Sequence, residues 1–270
     1  MKSSDLPYVG ALLSECFQPE LRPYLTYAQP GVVKFLEMRL RHPDSFPENR
    51  YCVATGVDRL PVGFAEFRLS ATRVGFLSYI CVAERARGLG VATSLIEQFV
   101  ASNASLKRLE LDVFQDNFPA IRLYERLGFA EHSQSVWLRR PLPLPSTSLS
   151  VSDFRQSAAT HAAYGFSELQ VKWRGQDVRL GRIGAGVLRC FDPRSFKDND
   201  LLAKSRATFA SLTGALSILP AGGANPVPPD ATTVALSNRM AMTFCDEAAT
   251  VMSQNVGGPA DAYRSGRRQS

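Results

Sequence analysis

The chain has 270 residues, 45% of them hydrophobic, and 31 Lys and Arg against 25 Asp and Glu give a formal charge of +6. That length builds one large core or two modest ones, while no apolar run approaches the roughly 20 residues of a membrane span and no basic run with interleaved aromatics suggests nucleic acid. The N-terminus lacks a charged-then-apolar leader. Five cysteines (Cys16, Cys52, Cys81, Cys190 and Cys245) stand apart with no CxxC pair or His/Cys cluster, so neither a disulfide framework nor a metal site is expected. The expectation is a cytoplasmic protein with buried thiols and no nucleic-acid or membrane partner.

Asp5 to Phe17 reads as a helix, with Leu6, Val9, Leu12, Leu13 and Cys16 on one stripe. A second helix near Gly31 to Arg41 carries Val32, Val33, Leu36 and Leu40 on one face, with Phe35 beside them. Tyr51 to Ala54 and Val62 to Leu69 read as antiparallel strands around a turn holding Gly56 and Asp58. A third strand, Val74 to Val82, runs into Arg85-Ala86-Arg87-Gly88-Leu89-Gly90, and a helix follows from Val91 to Val100. Glycines permit positive φ and close backbone approach. Amides gathered in such a turn, with the helix N-terminus behind them and Arg85 and Arg87 alongside, form a nest for phosphate. A solvated surface turn is the plainer reading of the same residues.

Leu109 to Val113 alternates as a half-buried strand. Asn117 then caps a helix with Pro119 in its first turn and Ala120, Leu123, Tyr124 and Leu127 at helical spacing. Gly128 ends that helix and Phe129 opens another strand.

Together, the glycine turn and the later Asn-x-x-Ala-x-x-Leu-Tyr-x-x-x-Gly-Phe segment resemble the GNAT (GCN5-related) N-acetyltransferase superfamily, over roughly residues 1–142. The resemblance implies an α/β (α+β) fold: a mixed, mostly antiparallel, splayed sheet flanked by helices. It implies acetyl-CoA as co-substrate, with the backbone of Ser78, Tyr79 and Ile80 along the pantetheine arm. Arg85, Ala86, Arg87, Gly88, Leu89, Gly90 and Val91 would hold the pyrophosphate, and Asn117 would touch the cofactor further along. Two departures stand out. Val82 occupies a position where the family commonly has proline, and only Met1 to Ser4 precede the first helix where a strand is usual. That strand is absent or very short, or the recorded start lies downstream of the real one.

Coenzyme A leaves as a thiolate, with a pKa of roughly 8.5 for an ordinary thiol, and a phenol at about 10 can offer it a proton or hydrogen bond. The family motif places a tyrosine where Tyr124 stands, so Tyr124 is the expected general acid; a core tyrosine is the alternative. The base is left open. Glu66 and Asp112 are candidates that read equally as solvated strand charges, Glu131 and His132 are weaker ones, and the central strand offers no carboxylate.

Residues 143–153 are Pro/Ser-rich and read as a linker. Within 154–220, expected to be a small α+β extension, Phe166 to Trp173 and Val178 to Phe191 read as strands, and Asn199 caps a helix from Asp200 to about Ser217. A shift of 109 positions sets Cys81 on Cys190 and Arg85 on Arg194, so this part reads either as a degenerate repeat of the first unit or as an unrelated appendage. Residues 221–270 read as a Gly/Pro-rich, partly disordered tail. The expected activity is acetyl transfer to a primary amine on a small molecule or peptide by direct attack. A catalytically silent acyl-CoA sensor or partner-binding protein is the rival, and acyl-chain length and a homodimer stay open.

Overall fold

The computed structural model describes residues 1–151, 153–223 and 227–244; Cys245 and the closing residues read as disordered lie outside the described residues. The apolar stripe of α1 (Leu6–Cys16) buries Leu6, Val9, Leu12 and Leu13, and α2 (Val32–Arg41) buries Val32 and Leu36. Both helices cover one face of an antiparallel meander made by β1 (Asn49–Thr55), β2 (Pro61–Leu69) and β3 (Val74–Val82), meeting Phe64 and Cys81 there. Across the sheet, α3 (Val91–Ala101) presses Leu95, Ile96, Phe99 and Val100 onto Ala65, Phe67 and Leu77. Phe67 and Phe99 stack with centroids 3.9 Å apart. The chain then returns as β4 (Arg108–Phe114), parallel to β3, followed by α4 (Phe118–Arg126) and β5 (Ala130–Pro141).

The second half repeats the meander, helix and parallel strand of the first. After α5 (Phe154–Tyr164), strands β6 (Phe166–Trp173), β7 (Gln176–Ile183) and β8 (Val187–Cys190) form an antiparallel meander. Helices α6 (Pro193–Lys197) and α7 (Asn199–Thr208) lead to β9 (Gly214–Pro220), which lies parallel to β8. The halves exchange their last strands. β5 pairs with β9, whereas β10 (Thr232–Thr243) returns to pair with β4 on one side and β5 on the other. One mixed, mostly antiparallel sheet results among the described residues, in the order β1-β2-β3-β4-β10-β5-β9-β8-β7-β6. A core of Leu21, Leu25, Trp137, Ile183, Val187 and Leu216 spans the junction.

Three sequence expectations change. The helix from Asp200 stops at Thr208, because Ala215, Leu216 and Ser217 are fully buried in a central strand, and a short apolar run does not distinguish strand from helix. Its cap is Asp198, not Asn199: the Asp198 carboxylate accepts from the amides of Asp200 and Leu201, both at 3.1 Å. Residues 232–243, placed in a tail, form β10. Their polar side chains hide the pattern but are paired across strands: Arg239 donates to Asp112 at 2.9 Å, Asn238 accepts from Gln115 at 2.7 Å, and Ser237 accepts from the Trp137 indole at 3.1 Å.

The stretch read as a linker runs along α7. Leu149 donates its amide to Thr208 Oγ1 at 2.7 Å, and Arg206 donates to the carbonyls of Leu142 and Pro143. No helix among the described residues is long and apolar enough to cross a membrane.

Away from the sheet, the halves also come close at Gly31. A Cβ there would sit 2.3 Å from Tyr164 Cα, at the end of α5. Gly31→Ala should therefore cost about 1–3 kcal/mol, seen as a lower urea midpoint with an unchanged m-value; an unaltered midpoint contradicts this packing.

Candidate active site

The sheet opens between β3 and β4. Their parallel pairing runs only from Val74 with Arg108 to Leu77 with Leu111. At that point the β2 partner register slips: Phe67 opposes Leu77 and Glu66 opposes Tyr79, which leaves Ser78 as a bulged residue. A bulge bends its strand and strengthens the local twist. Beyond Leu111, β4 stays with β10, through Asp112, Val113 and Phe114. A cavity of about 170 Å³ fills the parting, lined by Ser78, Tyr79, Ile80, Asp112, Asn117 and Tyr124 among others. The sequence-assigned pantetheine strand, Asn117 and Tyr124 thus come together in one cleft.

The glycine turn lies at the end of β3. Gly88 and Gly90 have φ of +76° and +77°, and a Cβ on either would meet nothing within 4 Å. The demand for glycine here is conformational, and the space in front of it is open. Gly90 is the N-cap of α3 and offers no side-chain acceptor to the first-turn amides, which suits an anion. Ala86 is buried as the turn's anchor, Leu89 is 75% exposed, Arg85 reaches Asp58 at 3.5 Å, and Arg87 donates to the Val82 carbonyl at 3.4 Å. These residues fit a diphosphate.

Asn117 caps α4, its side chain accepting from the Ala120 amide at 3.3 Å. Tyr124, on the inner face of α4, is 5% exposed and packs edge-on against Phe129. Burial raises its phenol well above the ordinary range, so it stays protonated. Its hydroxyl makes no hydrogen bond with the described residues.

A second cavity, of about 560 Å³, shares Ser78 and Tyr79 with the first. It lies between α2 and the strands β6–β8, and Tyr27, Phe35, Arg39, Glu66, Phe166 and Arg189 are among its walls. The Tyr79 ring stacks on Tyr27 at 3.8 Å, and its hydroxyl meets Thr26 Oγ1 at 3.1 Å. Glu66 is only 2% exposed, far from the solvated strand charge that also fits the sequence. Its Oε1 accepts from Asn49 at 2.6 Å and from Arg39 at 3.0 Å, while its buried Oε2 has no hydrogen-bond partner among the described residues. Burial raises the Glu66 carboxyl above the usual glutamate range, against the pull of Tyr27 and Arg39.

The other base candidates are engaged or turned outward. Asp112 is exposed and held by Arg239; Glu131 accepts from Asn238 at 2.7 Å, and both Glu131 and His132 are exposed. Sequence reasoning missed Arg39, Tyr27 and the individual β6–β8 residues that line this cavity. One trace was visible: Arg39 stands within an otherwise amphipathic helix, and Arg189 between Leu188 and Cys190.

Residues 9–129 match the family model described as "Acetyltransferase (GNAT) family". A GCN5-related N-acetyltransferase from Sphaerobacter thermophilus aligns with 90% of this chain and 94% of its own, at 14% identity and a TM-score of 0.55. A Pyrococcus horikoshii protein proposed to be an acetyltransferase aligns over 92% and 89%, at 12% identity and a TM-score of 0.59. Spermidine N-acetyltransferase from Vibrio cholerae, solved with CoA and spermine, covers 50% of this chain and 81% of its own, at 20% identity and a TM-score of 0.43. No curated protein matches the chain. The two long alignments carry the fold through both halves, and residues 9–129 form a GNAT acetyltransferase domain.

Proposed function

We propose that the protein moves an acetyl group from acetyl-CoA to the primary amine of an acceptor that enters through the larger cavity. The observation that carries this reading is a pair of cavities with Ser78 and Tyr79 as shared walls: the β3–β4 parting, on a strand that leads into a left-handed glycine turn, and a chamber holding a buried carboxylate.

Acetyl-CoA supplies an activated acetyl carbon and a thiolate leaving group. The open edge of β3 after Leu77 offers Ser78–Ile80 to the pantetheine arm as an added strand would, and the turn at residues 85–91 grips the diphosphate. Glu66 takes the proton that an ammonium must lose before its lone pair can form the C–N bond as the C–S bond breaks. A raised carboxyl pKa brings it nearer to that of the group it deprotonates. Tyr124 meets the departing sulfur. Its raised phenol value makes complete proton transfer to a thiolate of about 8.5 uphill, so its contribution is a hydrogen bond to developing negative charge.

Three outcomes test this. Tyr124→Phe keeps the packing on Phe129 but removes the donor; thiol release should slow by about 10- to 100-fold, the worth of one hydrogen bond to a charged group, with acetyl-CoA affinity unchanged. Glu66→Gln should lower kcat by about 10²- to 10⁴-fold. Because a base works only when deprotonated, wild-type activity should fall with decreasing pH through a value above the ordinary glutamate range, and that acid limb should vanish in the Gln variant. Gly90→Ala forces a side chain into a left-handed conformation costing about 1–2 kcal/mol, and calorimetry should record weaker acetyl-CoA binding. No heat of binding to the unaltered protein would sink the cofactor assignment itself.

A further inference from the structure

We infer that the acceptor carries an anionic group, a carboxylate or a phosphate, beside its amine, and that Arg189 on β8 receives it. The inference rests on the acetyl-transfer reading for the amine, but the anion site stands on its own geometry.

The larger cavity holds more positive than negative side chains. On the face shared by α2, β2, β3 and the inner side of β6–β8 stand Arg39, Arg68, Arg179 and Arg189, against Glu66 and Glu168. Both carboxylates are taken. Glu66 accepts from Arg39 at 3.0 Å, and Glu168 receives both ends of the Arg179 fork, at 2.8 and 2.6 Å. Arg68 donates to Ser78 Oγ at 3.0 Å and forms no ion pair with a carboxylate among the described residues. The Arg189 side chain makes neither a hydrogen bond nor an ion pair with the described residues, and feels the Glu168 carboxylate only from a distance. It lies half-buried with its guanidinium 5.0 Å from the Phe191 ring centroid, and Arg179 stands 4.4 Å from the same ring. Arg182 also borders the cavity, but its guanidinium lies 4.2 Å over the Phe209 ring.

A half-buried guanidinium without a counter-ion is costly unless something supplies the charge, and its five-donor fork suits carboxylate or phosphate oxygens. Tyr79 fixes where this happens relative to the chemistry. Its hydroxyl is under the influence of both the Glu66 carboxylate and the Arg189 guanidinium, and its residue also lines the β3–β4 parting. An amine turned toward Glu66 with an anion on its other side reaches Arg189 past the Tyr79 and Tyr27 rings. An acceptor with only further ammonium groups would face unpaired guanidiniums instead.

The first experiment needs no turnover. Phenylacetate and phenyl phosphate are titrated by calorimetry into the full chain saturated with CoA, with benzylamine as the cationic control. Saturable binding of at least one anion is expected, weakened by about 10- to 100-fold in Arg189→Ala, as for a lost charge-assisted hydrogen bond, and partly restored in Arg189→Lys. Thermal melting of each variant reports whether it has folded. Failure of both anions to bind, or equal affinities for wild type and a folded Arg189→Ala, overturns the inference.

The second experiment follows thiol release with matched acceptors: phenylalanine against phenylalaninamide, and phosphoethanolamine against ethanolamine. A higher kcat/KM for the anionic member of one pair is expected, and that pair tells carboxylate from phosphate. Preference for the neutral members, or for spermidine over all four, overturns it. Anion binding without acetylation of any amine would refute the transfer reading while leaving the Arg189 site in place.

Discussion

Everything in this molecule that bears on chemistry depends on two parallel strands letting go of each other. β3 and β4 hold together for only four residue pairs before the bulge at Ser78 turns one aside and β10 retains the other. A parallel pair buried on both faces would normally continue, because unpaired backbone groups are costly to bury. The exposed amides and carbonyls past Leu77 therefore form an unsatisfied edge within the core, and an extended ligand can complete it. The α4 helix, capped by Asn117, closes the side of that gap and presents Tyr124 to it.

The second half does not repeat this opening. Its strands β8 and β9 also run parallel, from Val187 with Gly214 to Cys190 with Ser217, but β8 ends there and α6 begins at Pro193. Lys197 and Asn199 occupy the positions that a shift of 109 residues would align with Gly88 and Gly90, and the connection holds no left-handed glycine. What the second half contributes is a wall. Phe166, Arg179 and Arg189 close the chamber whose other side is Phe35, Arg39 and Glu66, with Phe35 and Phe166 in edge contact at 4.9 Å. The chamber so closed measures about 560 Å³, within the usual range for small-molecule sites.

The sequence was most informative where local chemistry decides structure. Positive φ at Gly88 and Gly90, the Asn117 cap and the buried stripe of α1 are all short-range consequences of residue type, and each was legible. The burial of Glu66 was not, because in the sequence it reads as any strand-face charge would; only Arg39 of α2 and Asn49 folding onto it make it a buried acid. β10 was hidden for a similar reason. Ser237, Asn238 and Arg239 look like loop residues until Trp137, Gln115 and Asp112 are brought opposite them. The helix that ends at Thr208 instead of running to Ser217 shows a third limit: residues buried on both faces of a central strand carry no period.

The exchange of final strands also has a temporal meaning. Arg239 and Asp112, which clasp β10 to β4, are separated by 127 positions in the chain, so the edge of β4 beside the cleft stays bare until nearly all of the described polypeptide has left the ribosome. Such distant pairings are slow to form and leave strand edges open in the meantime. The nascent first half must therefore wait for its lining strand, and the cleft reaches its finished shape only once β10 has emerged.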